Sequence, residues 1–455
     1  MLNFYNTRTR EKEEFVPIQG KQVGLYTCGP TVYHYAHLGN LRTYVFEDIL
    51  RRMLKYKGYD VNHVMNITDV GHLTDDADSG EDKMEKGAKR EGKTAWEIAE
   101  FYTEAFKNDI AALNILEPTI WCKATDNIQE QINLVQKLID GGHTYETSDG
   151  IYFDTTTIDD YGALAQLDKQ HLEAGARVGI GEKKNAHDFA LWKFSKDGRA
   201  RQMEWDAFGK KGFPGWHIEC SAMATKYLGE QFDIHCGGID HIPVHHSNEI
   251  AQSEAATGKK PWVNVWMHGE FLLTEKDKMS KSENNFLTLA TLEEKGLTPL
   301  AYRFFLLQVH YRKQLTFSWE AIEAAEQGLK NLRRKIKDLP EDAPGDPLVE
   351  KAFFDALSDN LNTAEALAAL SKGLKEKAIN QEMITKFDKI LGLGLISHEG
   401  DVAIPEEVQG LLDQRQKARD EKNFEESDRL RDKLEKLGYS IEDHQGKQII
   451  KNIVL

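Results

Sequence analysis

Residues 22–69 read QVGLYTCGPTVYHYAHLGNLRTYVFEDILRRMLKYKGYDVNHVMNITD, and the order of elements in this stretch decides the fold class. Residues 22–28 are a short, apolar-leaning run that ends at Gly29-Pro30, a turn signal. Between 41 and 57 the apolar residues Val45, Phe46, Ile49, Leu50, Met53 and Leu54 recur at helical spacing. Gly58 then stops the helix. Residues 61–68 read as a second strand. Strand, turn, helix, strand is the βαβ unit that opens a parallel sheet.

Outward from this unit, a charged stretch at 75–93 reads as a solvated loop or frayed helix, and helical patterns resume at 94–113 and 126–140. The segment TYETSDGIYFDT (144–155) reads as a hairpin around Ser148-Asp149-Gly150. Past Thr316 the pattern is helical, interrupted by the linker DLPEDAPGDP (338–347) and a second break near 398–405. The expected fold is α/β: a Rossmann-like parallel-sheet domain with an inserted mixed domain, then an α-helical bundle and a small C-terminal domain. The expected ranges are 1–115 and 236–315 for the two halves of the sheet domain and 116–235 for the insertion. The bundle takes 316–400 and the last domain 406–455.

Composition bounds the function classes. The chain has 455 residues, 40% of them hydrophobic and 29% charged, as in globular proteins. No run reaches the roughly 20 apolar residues of a membrane span. The opening MLNFYNTRTR lacks the apolar core of a secretory signal, so the expected setting is the cytoplasm. The four cysteines, Cys28, Cys122, Cys220 and Cys236, are too scattered for a disulfide framework. The formal charge of −16 argues against indiscriminate nucleic-acid binding, though not against a local basic face.

Two motifs carry the chemistry. His37-Leu38-Gly39-Asn40 lies where the first strand turns into the helix. Glycine there lets a nucleotide approach the backbone, and a helix N-terminus favours phosphate. Lys278-Met279-Ser280-Lys281-Ser282 places two lysines three residues apart among small polar residues, which suits a loop that meets the charge of departing pyrophosphate. A third set is dispersed: Cys28, Cys220 and the pair His245 and Glu249. At i and i+4 that pair shares a helix face. Two thiolates, an imidazole and a carboxylate make a tetrahedral zinc set, but His246 with Glu249 serves as well on spacing alone.

The HLGN and KMSKS segments, in this order, resemble the signature of class I aminoacyl-tRNA synthetases. Within that class the chain resembles the cysteinyl-tRNA synthetases over nearly its whole length. That resemblance implies Cys28, Cys220, His245 and Glu249 as ligands of one Zn²⁺, and Thr68, Trp216, His235 and Asp240 as substrate contacts. It also implies a two-step reaction. Cysteine and ATP form cysteinyl-adenylate, with His37, Gly39, Asn40, Lys278 and Lys281 at the nucleotide and Mg²⁺ on the pyrophosphate. The cysteinyl group then passes to tRNA(Cys), whose anticodon end meets the last domains. A soft metal that prefers sulfur distinguishes cysteine from serine, so no editing domain is needed. The expected working unit is a monomer without a membrane partner. Relatives that pass cysteine to an amino sugar lack the stretch that here follows Thr316. The chain departs from the family at Asn40, where a second histidine is usual, at Val70 to Asp76, and at Cys236, a position often held by glycine.

Overall fold

The computed structural model describes residues 1–71, 82–166, 182–195, 201–274, 286–340, 343–396, 406–421, 423–437, 439–444 and 447–452. It contains two compact units, Met1–Leu393 and Gly394–Leu455.

The first unit opens with a hairpin, β1 (Asn3–Asn6) and β2 (Glu11–Glu14). The βαβ unit follows as β3 (Gln22–Thr27), α1 (Leu38–Tyr56) and β4 (Asp60–Ile67). All six apolar residues that define the helical spacing of α1 are buried, each contributing about 1.5–3 kcal/mol relative to exposure. Gly58 ends this segment at φ +83°, a conformation without steric cost only for glycine. Next come α2 (Lys83–Glu91), α3 (Ala95–Ala112), β5 (Ile120–Lys123) and α4 (Ile128–Asp140).

The insertion is built from β6 (Thr144–Thr147), β7 (Gly150–Phe153), β8 (Phe189–Phe194), β9 (Trp205–Ala207) and β10 (Lys210–Pro214). These form an antiparallel sheet in the order β6-β7-β8-β10-β9, and the hairpin turns at Ser148-Asp149. The chain returns through α5 (Trp216–Leu228), β11 (Phe232–Gly238), α6 (Ser247–Thr257) and β12 (Val263–Gly269). The main sheet is parallel throughout, in the order β12-β11-β3-β4-β5. Two boundaries therefore move. β5 and the start of β11 lie within 116–235, the range expected for the insertion, yet both pair into the parallel sheet. The four-residue β5 is too short to show a period in the sequence.

Strand order reverses between β3 and β11, and the crevice beyond the carboxyl ends of a sheet at such a point is where α/β folds bind ligands. The short pair β13 (Leu272–Leu273) and β14 (Leu315–Thr316) flanks α7 (Leu289–Glu293) and α8 (Pro299–Leu307). Four helices complete the unit: α9 (Trp319–Lys337), α10 (Pro347–Ser358), α11 (Thr363–Glu376) and α12 (Gln381–Leu391). Arg303 of α8 is fully buried. It donates to Asp48 of α1 at 2.5 Å, to the Leu391 carbonyl at 2.7 Å and to the Leu113 carbonyl at 3.0 Å, tying these helices together.

The second unit pairs α13 (Glu406–Asp420) with α14 (Phe424–Lys436) and adds an antiparallel hairpin, β15 (Tyr439–His444) and β16 (Lys447–Asn452). Val408, Leu411, Leu412, Leu430, Leu434 and Ile441 make its core. Its exposed Arg429 is held by Glu426 through two contacts of 2.7 Å.

Candidate active site

The carboxyl ends of β3, β4, β11 and β12 surround a cavity of roughly 590 Å³. Its walls include His37, Gly39 and Asn40, then Cys28, Cys220 and His245, then Thr68, Trp216 and Asp240. Close approach of β3 and β4 shapes the floor. A Cβ on Gly29 would lie 1.6 Å from the Asn66 carbonyl oxygen, so only glycine fits there. The Asn66 side chain accepts from the Gly29 N–H at 2.8 Å and donates to Thr68 Oγ1 at 3.1 Å.

The HLGN segment has a local reason for its shape. His37 is the N-cap of α1: its Nδ1 accepts the Asn40 N–H at 3.1 Å, and Asn40 Oδ1 accepts the His37 N–H at 3.3 Å. This reciprocal arrangement is a capping box. Asn40 thus serves the helix start with its oxygen, which leaves the amide nitrogen to donate elsewhere. The Leu38 N–H donates to the Leu287 carbonyl at 2.8 Å, and the Phe286 ring stands edge-on to His34 and His37. Lys278 and Lys281 lie outside the described residues.

Behind this turn, Cys28, Cys220, His245 and Glu249 converge, with one ligand atom from each within 4.8 Å of the others. Bonds of about 2.0–2.3 Å to a tetrahedral ion would set such atoms about 3.3–3.8 Å apart, so a small contraction closes the set. All four are buried. Glu249 is fully buried, and its Oε1 lies 2.8 Å from His245 Nε2. The donor chemistry fits a zinc ion.

A second set, Cys28, His235, His246 and Glu249, meets the same distance limit. Its imidazoles are differently engaged. His235 Nε2 is 2.8 Å from Glu249 Oε2, and its ring stacks on Trp266. His246 Nε2 is 3.4 Å from Cys28 Sγ, while its Nδ1 is 2.7 Å from His268, whose other nitrogen is 2.7 Å from Thr7 Oγ1.

His235, which the resemblance implies as a substrate contact, is fully buried, with its Nε2 2.8 Å from Glu249 Oε2. Strand alternation along β11 turns its side chain into the aromatic layer of Tyr26, Trp262 and Trp266. Trp216 and Asp240 do line the cavity, the Trp216 ring 4.6 Å from His245. Thr68 lines it too, donating to Glu219 Oε2 at 3.1 Å. On sequence alone His217 is left unassigned, as a residue that could be structural, and Glu219 is not singled out. His217 Nδ1 lies 2.9 Å from His245 Nδ1, which fixes the ring so that Nε2 faces the cluster. Their only signal was adjacency, inside Trp216-His217-Ile218-Glu219-Cys220.

Electrostatics follow from burial and these partners. Burial raises the Cys28 thiol well above its ordinary range. The hydrogen bond from Cys28 lowers Cys220 to about 7, against the opposing effect of burial. Burial depresses His245, but Glu249 and Cys220 outweigh it and lift the imidazole to about 10. Burial likewise opposes ionisation of Glu249, yet His235 and His245 hold it at about 2. Burial keeps His246 and His268 well below the usual histidine range, hence neutral. It also raises Glu219 well above the usual carboxylate range.

Comparison with known proteins places this geometry. Residues 14–327 match the family described as tRNA synthetases class I (C) catalytic domain, and residues 401–450 match the cysteinyl-tRNA ligase anticodon binding domain. A cysteine–tRNA ligase of Burkholderia lata is 53% identical over 447 residues, covering 97% of this chain and 95% of that protein. The chain belongs to the cysteine–tRNA ligase family. A Treponema denticola member is 48% identical over 491 residues, covering 99% of this chain and 100% of that protein. A solved Mycobacterium tuberculosis methionyl-tRNA synthetase with methionyl-adenylate superposes at TM-score 0.59 and 16% identity. It covers 82% of this chain and 89% of its own. At that identity the likeness speaks for the class I fold alone. No helix among the described residues is long and apolar enough to cross a membrane.

Proposed function

We propose that this chain activates L-cysteine with ATP and transfers it to tRNA(Cys), with Cys28, Cys220, His245 and Glu249 holding a zinc ion that selects the substrate. What carries this is a juxtaposition: the buried sulfur-rich cluster and the His37–Asn40 turn open onto one cavity. Of the two ligand sets, the one with Cys220 and His245 presents three members to that cavity. The other set keeps His235 and His246 behind it.

A zinc ion held there supplies a soft positive partner for the substrate sulfur, which serine cannot exploit. The chain's own residues do the rest. Thr68, Trp216 and Asp240 bound the space for the amino acid beside the cluster. The cysteine carboxylate attacks the α-phosphate of ATP, the bond to the β-phosphate breaks, and pyrophosphate leaves as cysteinyl-adenylate forms. Asn40 and the start of α1 meet the nucleotide, since a helix N-terminus favours phosphate. Lys278 and Lys281 neutralise charge that grows on the departing pyrophosphate with its Mg²⁺. The acid–base demand is small, because the attacking carboxylate is already ionised. The 2′ hydroxyl of the terminal ribose then attacks the acyl carbon, and AMP leaves. The anticodon-binding match at 401–450 supports tRNA as acceptor over a small amine.

ATP–pyrophosphate exchange tests this. Cysteine should support exchange at least about 100-fold better than serine, and chelation should remove it. Lys281→Ala should collapse exchange while the metal content stays unchanged. Equal exchange with serine, or full exchange after complete metal removal, would overturn the proposal.

A further inference from the structure

A cationic and aromatic rim stands outside the cavity, on a part of the fold that no step above uses. α2 is packed onto the loop that lines the cavity. Gly87 allows this approach, since a Cβ there would lie 3.3 Å from the Tyr33 carbonyl oxygen, and Arg90 donates to that same carbonyl at 3.2 Å. Tyr33 and His34 of this loop are cavity walls. Arg90 and Tyr102 are further held by Glu91. This buttress leaves Tyr35 and Phe101 exposed, at 41% and 42%, with ring centroids 6.1 Å apart. Lys93 sits over the Phe101 ring at 4.3 Å and pairs with Glu91 at 3.8 Å.

Charge on this rim is positive despite the chain's net −16. Lys86, Lys89 and Arg90, at i, i+3 and i+4, share a face of α2. No described carboxylate pairs with Lys86 or Lys89. The acids on the exposed side of α3 are engaged instead. Glu97 closes a capping box with Thr94, Glu100 is 2.7 Å from Lys123, and Glu104 is 3.0 Å from Lys107.

We infer that this rim receives the single-stranded 3′ end of the acceptor RNA, with Tyr35 and Phe101 as stacking platforms and Lys86 and Lys89 on its phosphates. The inference rests on the proposed transfer to tRNA. That transfer requires a single strand to enter the cavity, and such strands are gripped by exposed aromatic faces beside a cationic track. Exposed aromatics interleaved with lysines, continuous with the cavity wall, match that ligand.

The test uses full-length protein with Lys86→Ala/Lys89→Ala and with Phe101→Ala, all exposed positions outside the cavity wall. Cysteine-dependent pyrophosphate exchange should be unchanged. KM for tRNA(Cys) should rise about tenfold with Phe101→Ala. The lysine pair should flatten the dependence of tRNA binding on salt. A tRNA lacking its last three nucleotides should bind wild type and Phe101→Ala equally, which a distant structural effect would not produce. Unchanged KM with intact tRNA, or loss of exchange alongside it, overturns the inference. If wild type itself charges no tRNA, the proposed function fails first.

Discussion

Loading zinc into the metal-free protein should release a countable number of protons, and that number identifies the ligands. At pH 7 Cys28 keeps its proton because burial raises its thiol. His245 keeps its proton at about 10, and Cys220, at about 7, is about half protonated. Glu249, held at about 2, has none to lose. Coordination needs thiolates and a neutral imidazole, so binding should expel about two and a half protons. Protons compete with the metal, so affinity must fall as pH falls. Between pH 7 and 6 Cys220 becomes almost fully protonated, and the apparent constant should drop about 500-fold. Titration calorimetry in buffers of different ionisation enthalpy measures the count, and competition with a chromophoric chelator measures the slope. Cys28 and His246 together would instead release about one proton, since burial already keeps His246 neutral. A release of one proton or fewer would refute the ligand set with Cys220 and His245.

Two further outcomes concern the scaffold. Arg303→Met removes a fully buried guanidinium that satisfies Asp48 and three carbonyls. Asp48 keeps Arg52 at 2.7 Å, so the cost in urea unfolding should sit near the lower end for a broken buried pair, about 3 kcal/mol; a loss under about 1 kcal/mol would contradict this. Asp109 is raised to about 7 by burial, with Glu293 adding to the effect. An acid whose folded pKa is raised loses stability as pH climbs from the ordinary carboxylate value to the raised one. Asp109→Asn should therefore gain urea resistance over wild type at pH 8 and show a smaller gain at pH 5; equal gains would contradict it.

Periodicity reached much of this molecule because burial imposes it. Val45, Phe46, Ile49, Leu50, Met53 and Leu54 face one core, and that requirement is written at helical spacing. The hairpin around Ser148-Asp149 was legible because turn residues interrupt two apolar runs. β5 was not, since a four-residue strand has no period to read, and its place in the parallel sheet follows from pairing with β4. The capping box between His37 and Asn40 is local and was in principle readable from spacing, yet the motif suggested nucleotide contact first.

By itself, then, the sequence determined the class I architecture, because that depends on local pattern and on motifs contiguous in the chain, whereas the four dispersed residues of the sulfur-rich cluster were implied only by the family resemblance. Only the tertiary structure decided which histidine faces the cavity. His235, His245 and His246 are near neighbours along the chain and chemically alike. They differ by the direction in which a strand or helix turns each ring, and that direction is set by packing against Trp266, His217 and His268, residues distant in sequence.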